Sequence, residues 1–203
     1  KLTHEGGISL ADYNRCGIPL IEIVTEPDFH SAEEVVAFFE KIKLLLLYAG
    51  ICDCKMEQGS IRCDVNISIA PEGSEQLGTR TELKNLNSLK AIAKAIEVEI
   101  ARQAEILDNG GEIVQETRRF NEAAMETLAM RSKEDAHDYR YFPDPDIPPI
   151  ILTEEELADI RATLPEMPEQ RMARYRTEYG ISENDAVIIV SDKRVSDFFD
   201  EAV

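Results

Sequence analysis

Alternation is strictest in the middle of the chain. Ile61, Cys63, Val65, Ile67 and Ile69 fall on one side and Arg62, Asp64, Asn66 and Ser68 on the other. That period of two predicts a half-buried strand over 61–69. A turn at 71–74 (PEGS) leads to a second strand over 79–86 (TRTELKNL), where Arg80, Glu82 and Lys84 share a face. An earlier run over 19–26 (PLIEIVTE) reads as another strand, with Glu22 and Glu26 on one face and Pro27 closing it. Residues 8–12 fit a short strand after a polar lead-in, and Asn14, Arg15, Cys16 and Gly17 read as a turn.

The period then changes to that of a helix. Ser31 to Glu34 is a capping box opening a helix that runs to Ala49. Its stripe is Val35, Phe38, Phe39, Ile42, Leu45, Leu46 and Ala49, and Gly50 supplies the stop. A second helix spans 89–108 behind Asn87 and Ser88, with a buried stripe expected at Leu89, Ile92, Ile96, Ile100, Ala104 and Leu107. The order of elements predicts an α+β fold, a mainly antiparallel sheet with helices packed on one face. A β-hairpin follows, 112–120 (EIVQETRRF) returning as 127–131.

Residues 133–149 are irregular and proline-rich. They carry Glu134, Asp135, His137, Asp138, Tyr139, Arg140 and Tyr141 on a stiff loop, the kind of segment that lines a site or packs as a crossing. From Thr153 onward the pattern is of short helices punctuated by Pro165, Pro168 and Gly180. A boundary near Ile151 divides a sheet-based domain over 1–151 from the start of a helical one over 152–203.

The polar strand faces carry the candidate chemistry. If the three strands lie in one sheet, Glu22, Asp64 and Glu82 converge, with Arg62, Arg80 and Lys84 around them. Carboxylates that gather hard cations beside bases that hold phosphate oxygens make a magnesium–nucleotide site. A solvated sheet face laced with cross-strand ion pairs accounts for the same residues, and both readings stay open on pattern alone.

Composition narrows the classes. The 203 residues carry a net charge of −18 and are 43% hydrophobic, enough for a real core. So acidic a chain repels nucleic acid as a whole, and Arg171, Arg174, Arg176, Lys193 and Arg194 offer only a small basic island, read as solvated helix surface. Cys16, Cys52, Cys54 and Cys63 form no C-x-x-C pair, so a structural zinc site is not expected and a reducing cytosol is. No signal peptide and no membrane span is expected. The chain begins at Lys1 and is expected to be a piece of something longer.

Long runs then add a resemblance. PLIEIVTEPD, KMEQGSIRCDVNIS, GTRTELKNLNS, GGEIVQETRRF, MRSKEDAHDYRYFPDPDIPP and SDFF resemble, in order and spacing, the B subunits of the aspartyl/glutamyl-tRNA(Asn/Gln) amidotransferase family over nearly the whole chain. The resemblance implies a glutamine-synthetase-like catalytic domain in a bacterial cytoplasmic heterotrimer, completed by a glutaminase (A) and a small (C) partner. It implies ATP- and Mg²⁺-dependent phosphorylation of the side-chain carboxylate of Glu-tRNA(Gln) or Asp-tRNA(Asn), then amidation by ammonia. By motif position it implies that Asp64 and Glu82 hold metal, with Glu22 a weaker third. Arg62, Arg80 and Lys84 become holders of phosphate or carboxylate, and Glu57 lies outside the strand. The family's Glu-x-His strand and tRNA-gripping tail are not found in this sequence, so the chain alone is expected to be inactive and to hold metal weakly. A docking role within the same complex, or the archaeal Glu-tRNA(Gln)-specific paralogue, are the alternatives.

Overall fold

The computed structural model describes residues 2–5, 7–14, 16–132, 143 and 145–203. The site-lining expectation for Glu134, Asp135, His137, Asp138, Tyr139, Arg140 and Tyr141 lies outside the described residues.

A small hairpin comes first, β1 (Leu2–Glu5) paired antiparallel with β2 (Ile8–Ala11). The long helix α1 (Ala32–Tyr48) follows, and the Ser31 hydroxyl accepts from the Glu34 amide as the sequence predicts. The other half of the box is displaced by one residue, since the Glu34 carboxylate accepts from the amide of His30 at 2.7 Å. After a short 3-10 turn (Met56–Gln58) come β3 (Val65–Ile67), β4 (Thr81–Lys84), α2 (Leu89–Asp108), β5 (Glu116–Asn121) and β6 (Glu126–Ser132).

These four strands make one sheet in the order β3-β4-β5-β6. The sheet is mixed, with two antiparallel pairings and one parallel pairing among the described strands. β3 with β4 and β5 with β6 run antiparallel, whereas β4 and β5, at its centre, are parallel. The cause is α2. Its 20 residues carry the chain about 30 Å back along the sheet, so β5 starts at the same end as β4.

Both long helices cover one face. Ala32 and Phe39 of α1 and Ala91, Ile92, Ala95 and Ile96 of α2 close over Leu83, Leu86 and Phe120, with Val65, Ile67 and Cys63 packed against them. The α2 stripe differs from the sequence reading in its second half. Ile100 and Leu107 are exposed, and Glu99 and Gln103 are fully buried in their place. The strand face beneath that half presents Thr81, Arg118 and Thr127, and only polar partners satisfy it.

One expected strand does not form. Residues 19–26 take no regular secondary structure and pair with no described strand, and Leu20, Ile21, Ile23 and Val24 are exposed. Alternating residues fit a pleated surface without naming the neighbour that completes it. The strand over 61–69 likewise shortens to three residues, because β4 offers only Thr81 to Leu83 opposite Val65 to Ile67.

The last elements are α3 (Glu154–Ala162), α4 (Pro168–Glu178), α5 (Glu183–Val190) and α6 (Lys193–Ala202). Tyr175, Ala186 and Val190 form their own small core with Phe199. This group sits against α1. The Tyr48 hydroxyl donates to the Val190 carbonyl at 2.9 Å, and the Arg171 guanidinium lies over the Tyr48 ring, 5.1 Å from its centroid.

Candidate functional site

The face of the sheet turned away from α1 and α2 gathers the chemistry. Register decides which residues meet there. Val65 pairs with Leu83 and Asn66 with Glu82, so one further step sets Asp64 against Lys84. On the other side of β4 the parallel ladder sets Glu82 beside Thr117 and Lys84 beside Arg119. Alternation sends Leu83, Arg118 and Phe120 to the helices, and Glu82, Lys84, Thr117 and Arg119 the other way.

At the centre is one cation shared by two carboxylates. The Lys84 ammonium donates to Asp64 Oδ2 at 2.6 Å and lies 3.2 Å from Glu82 Oε1. Glu82 is the more enclosed acid, its side chain 19% exposed against 47% for Asp64. Its second oxygen, Oε2, accepts from the Thr117 hydroxyl at 2.8 Å. Partial burial pulls the Lys84 pKa down, but hydrogen bonds and charge from Asp64 and Glu82 outweigh it and leave it above the ordinary lysine value. Cys63, on the opposite side of the strand from Asp64, is no nucleophile here. Burial, with the Asp64 charge adding to it, pushes its thiol up to about 11.

Not every residue expected at this site arrives. Asp64, Glu82 and Lys84 come together. Arg62 and Arg80 lie just outside the paired segments of β3 and β4, exposed and without an ion pair to a described residue. Glu22 lies on the unpaired stretch, so the convergence of three acids expected from the alternation does not occur. Among the described residues no group of three or more His, Cys, Asp or Glu is placed to hold a metal ion.

The basic island also dissolves. Arg171 is buried, paired with Asp197 at 2.7 Å and with Asp200 at 3.3 Å, and Arg174 bridges Glu166 at 2.7 Å and Asp200 at 2.9 Å. Arg176 meets Glu183, Lys193 meets Asp197, and Arg194 meets Asp192. Arg171 and Arg174 hold α4 against α6 and Arg176 reaches α5, whereas Lys193 and Arg194 pair within α6 and its cap. The solvated-surface expectation is wrong for Arg171, because its neighbours on α6 are acids within reach.

Comparison with known proteins now has a geometry to attach to. Residues 1–158 match the family described as the GatB/GatE catalytic domain. The chain belongs to that family. It is similar to the aspartyl/glutamyl-tRNA(Asn/Gln) amidotransferase B subunit of Ruminiclostridium cellulolyticum, at 55% identity over 204 residues, which is 100% of the chain and 42% of that relative. The B subunits of Caldicellulosiruptor saccharolyticus (54% identical, 96% of the chain, 41% of the relative) and Carboxydothermus hydrogenoformans (52%, 100% and 43%) are similar to it as well. The chain therefore spans about two fifths of the length of the curated relatives it matches.

Within this GatB/GatE-type domain, two features escaped the sequence reading. Thr117 and Arg119 sit on the run ETRRF, whose mixed faces concealed that alternate residues serve opposite sides of the sheet. The other is a polar core directly behind the open face. Glu99 Oε1 accepts from Thr81 at 2.8 Å, Gln103 at 3.0 Å and Arg102 at 2.6 Å, and Oε2 accepts from Thr127 at 2.7 Å and Arg102 at 2.9 Å. Arg118 closes the group, donating to Thr127 at 2.9 Å and pairing with Glu116. Burial pushes the Glu99 carboxyl up, yet the donors from Arg102, Thr127, Gln103 and Thr81 outweigh it and hold it at about 2. This network ties α2 to β4, β5 and β6 immediately beneath Glu82 and Thr117. Among the described residues no helix is long and apolar enough to cross a membrane.

Proposed function

We propose that this chain carries the carboxylate-activating site of a tRNA-dependent amidotransferase. In this reading ATP phosphorylates the side-chain carboxylate of Glu-tRNA(Gln) or Asp-tRNA(Asn), and ammonia then displaces the phosphate. The observation that carries it is the Asp64–Lys84–Glu82 arrangement on the sheet face turned away from the helices. Identity above half along the chain to proteins named as the B component of that amidotransferase supports the substrate class.

A carboxylate resists amidation because its charge repels a nucleophile and oxide is a poor leaving group. Phosphorylation removes both obstacles. A substrate carboxylate oxygen attacks the γ-phosphorus, the bond to the β–γ bridging oxygen breaks, and ADP leaves. Ammonia then adds to the acyl carbon, and phosphate departs with the carboxylate oxygen. Two anions must be held together while this happens, so positive charge has to be concentrated beside them.

The acidic pair fits a hard divalent cation. Both donors are carboxylate oxygens, both already face one cation, and magnesium is ordinarily held by one or two carboxylates together with substrate phosphates. Asp64 and Glu82 are the residues that would hold it, and when bound it would supply the charge that neutralises the γ-phosphate. Thr117 fixes one Glu82 oxygen, and the other faces Lys84. Lys84 and Arg119 are the bases nearest to these acids by register. Arg62 and Arg80 remain peripheral holders in this proposal, and Glu22 has no part in it.

The remaining assignments follow the same reading. The layer of helices behind an acid-bearing sheet is consistent with a glutamine-synthetase-like domain. The helices over 152–203, with their separate small core, are read as the beginning of a second domain. A glutaminase (A), a small third protein (C) and aminoacyl-tRNA are the proposed partners, in a bacterial cytoplasm, with tRNA gripped mainly by parts outside this chain.

The test is ADP release by the assembled enzyme with Mg-ATP and Glu-tRNA(Gln) but no ammonia source. Asp64→Asn and Glu82→Gln are each expected to lose on the order of a hundredfold while still assembling, since a lost metal contact removes several kcal/mol of transition-state stabilisation. Wild-type rates in both variants would make this face structural and leave the docking role standing.

A further inference from the structure

Lys84 occupies the position that a divalent cation would contest. Its ammonium faces one oxygen of each acid, 2.6 Å from Asp64 and 3.2 Å from Glu82, where the strand register carries Asp64 opposite Lys84 and leaves Glu82 diagonal to it on the same face. Close carboxylates repel unless a cation lies between them. Resting on the phosphoryl-transfer reading above, we propose that Lys84 is the resident counter-cation of the Asp64–Glu82 pair, displaced when a divalent ion binds, and that the freed ammonium joins Arg119 in taking up phosphate oxygens.

Register supplies the second half of this step. Arg119 is the partner of Lys84 across the parallel ladder, and neighbouring strands lie about 4.8 Å apart. Arg119 is exposed on the same face and makes no ion pair with a described residue. While Lys84 is held by the acids, the cation beside Arg119 is neutralised. Once Lys84 is released, two unpaired positive groups stand next to each other, and a phosphate is the anion that satisfies both. The residue types suit the two tasks. A lysine is a compact point charge on a flexible stem and can change partners, whereas the planar arginine fork grips two oxygens at once. Metal loading and nucleotide binding are thereby coupled. The metal frees the cation that the phosphate needs, and the phosphate removes the competitor of the metal.

The coupling is read from metal affinity alone, without turnover. Mn²⁺ is titrated into the nucleotide-free assembled enzyme by calorimetry. Lys84→Met is expected to bind Mn²⁺ on the order of threefold to tenfold more tightly than wild type, since two ion pairs no longer compete. Lys84→Arg keeps a competing cation and is expected to stay within about twofold of wild type. Arg119→Gln is expected to leave nucleotide-free Mn²⁺ affinity unchanged and to weaken binding of a non-hydrolysable Mn–ATP analogue on the order of tenfold. Unchanged or weakened Mn²⁺ binding in Lys84→Met overturns the inference, as does wild-type analogue binding in Arg119→Gln. The reading beneath it fails separately. Asp64→Asn and Glu82→Gln that bind Mn²⁺ as wild type does remove the metal site itself, whereas loss there with no gain in Lys84→Met overturns the displacement alone.

Discussion

Replacing Glu99 with alanine should unlock the back of the site while leaving its front chemically intact. Glu99 is fully buried and accepts from Arg102, Thr127, Gln103 and Thr81 over distances of 2.6–3.0 Å. Its loss strips the carboxylate from Arg102 and from Arg118, 3.4 Å away, and leaves two threonine hydroxyls without their acceptor, while the Gln103 amide keeps the Ile67 carbonyl and Thr81. Removing one partner of a buried charged network costs about 3–5 kcal/mol. The depressed carboxyl reflects the same hydrogen bonds and points the same way. A carboxyl moved from 4.5 to about 2 contributes roughly 3 kcal/mol of stability. The direction follows from the depressed value. The contribution is fully present above about pH 4.5 and is lost as pH falls from there toward about 2. Amide hydrogen exchange in the assembled protein measures the effect where it occurs. In Glu99→Ala the amides of β4 and β5 should exchange roughly two to four orders of magnitude faster at neutral pH, at 1.36 kcal/mol per tenfold. The excess over wild type should shrink as pH falls toward 3. Protection within about threefold of wild type would show that the network is replaced without loss, and the reasoning from burial and unpaired donors would be wrong.

Two further substitutions probe other joints of the structure. Tyr48→Phe removes a buried hydroxyl that donates to the Val190 carbonyl, so the α5 end of the helical group should loosen by about 1 kcal/mol, read as faster exchange around Val190. An unchanged rate there would mean that the Arg171–Tyr48 contact alone carries the docking. Asn85 ends β4 at φ 67°, in the left-handed region that asparagine tolerates, and its amide reaches the Phe120 carbonyl at 3.4 Å. Asn85→Val should cost at least about 1–2 kcal/mol and lower the melting temperature by several degrees, with Asn85→Gly nearly neutral; equal melting of both variants would remove the backbone argument.

Legibility varied with how local the information was. The helix ends were readable because caps are local. Ser31 and Ser88 both cap the helices expected behind them. The hairpin β5–β6 was readable from two adjacent runs. The parallel pairing of β4 and β5 was not, because it depends on the length of α2 and not on either strand. Asp64, Glu82 and Lys84 were legible since alternation alone fixes their face. Thr117 and Arg119 needed the register across the crossover before they could be placed beside Glu82 and Lys84. Glu99 looked like one more solvated charge on a helix. Only the polar strand face opposite it turns the buried position into a satisfied one. Glu22 shows the converse, since its run has strand composition but pairs with no described strand.

The central claim is that the substrate carboxylate itself attacks ATP. Isotope transfer tests it directly. Glu-tRNA(Gln) labelled with ¹⁸O in its side-chain carboxylate would be amidated by the assembled enzyme with unlabelled ATP, and the inorganic phosphate analysed by mass spectrometry. The account predicts one labelled oxygen in each phosphate released, lost in proportion with turnover in Asp64→Asn and Glu82→Gln. Phosphate free of label, formed while amide accumulates at the wild-type rate, would contradict it, because ATP would then be cleaved without ever activating the carboxylate.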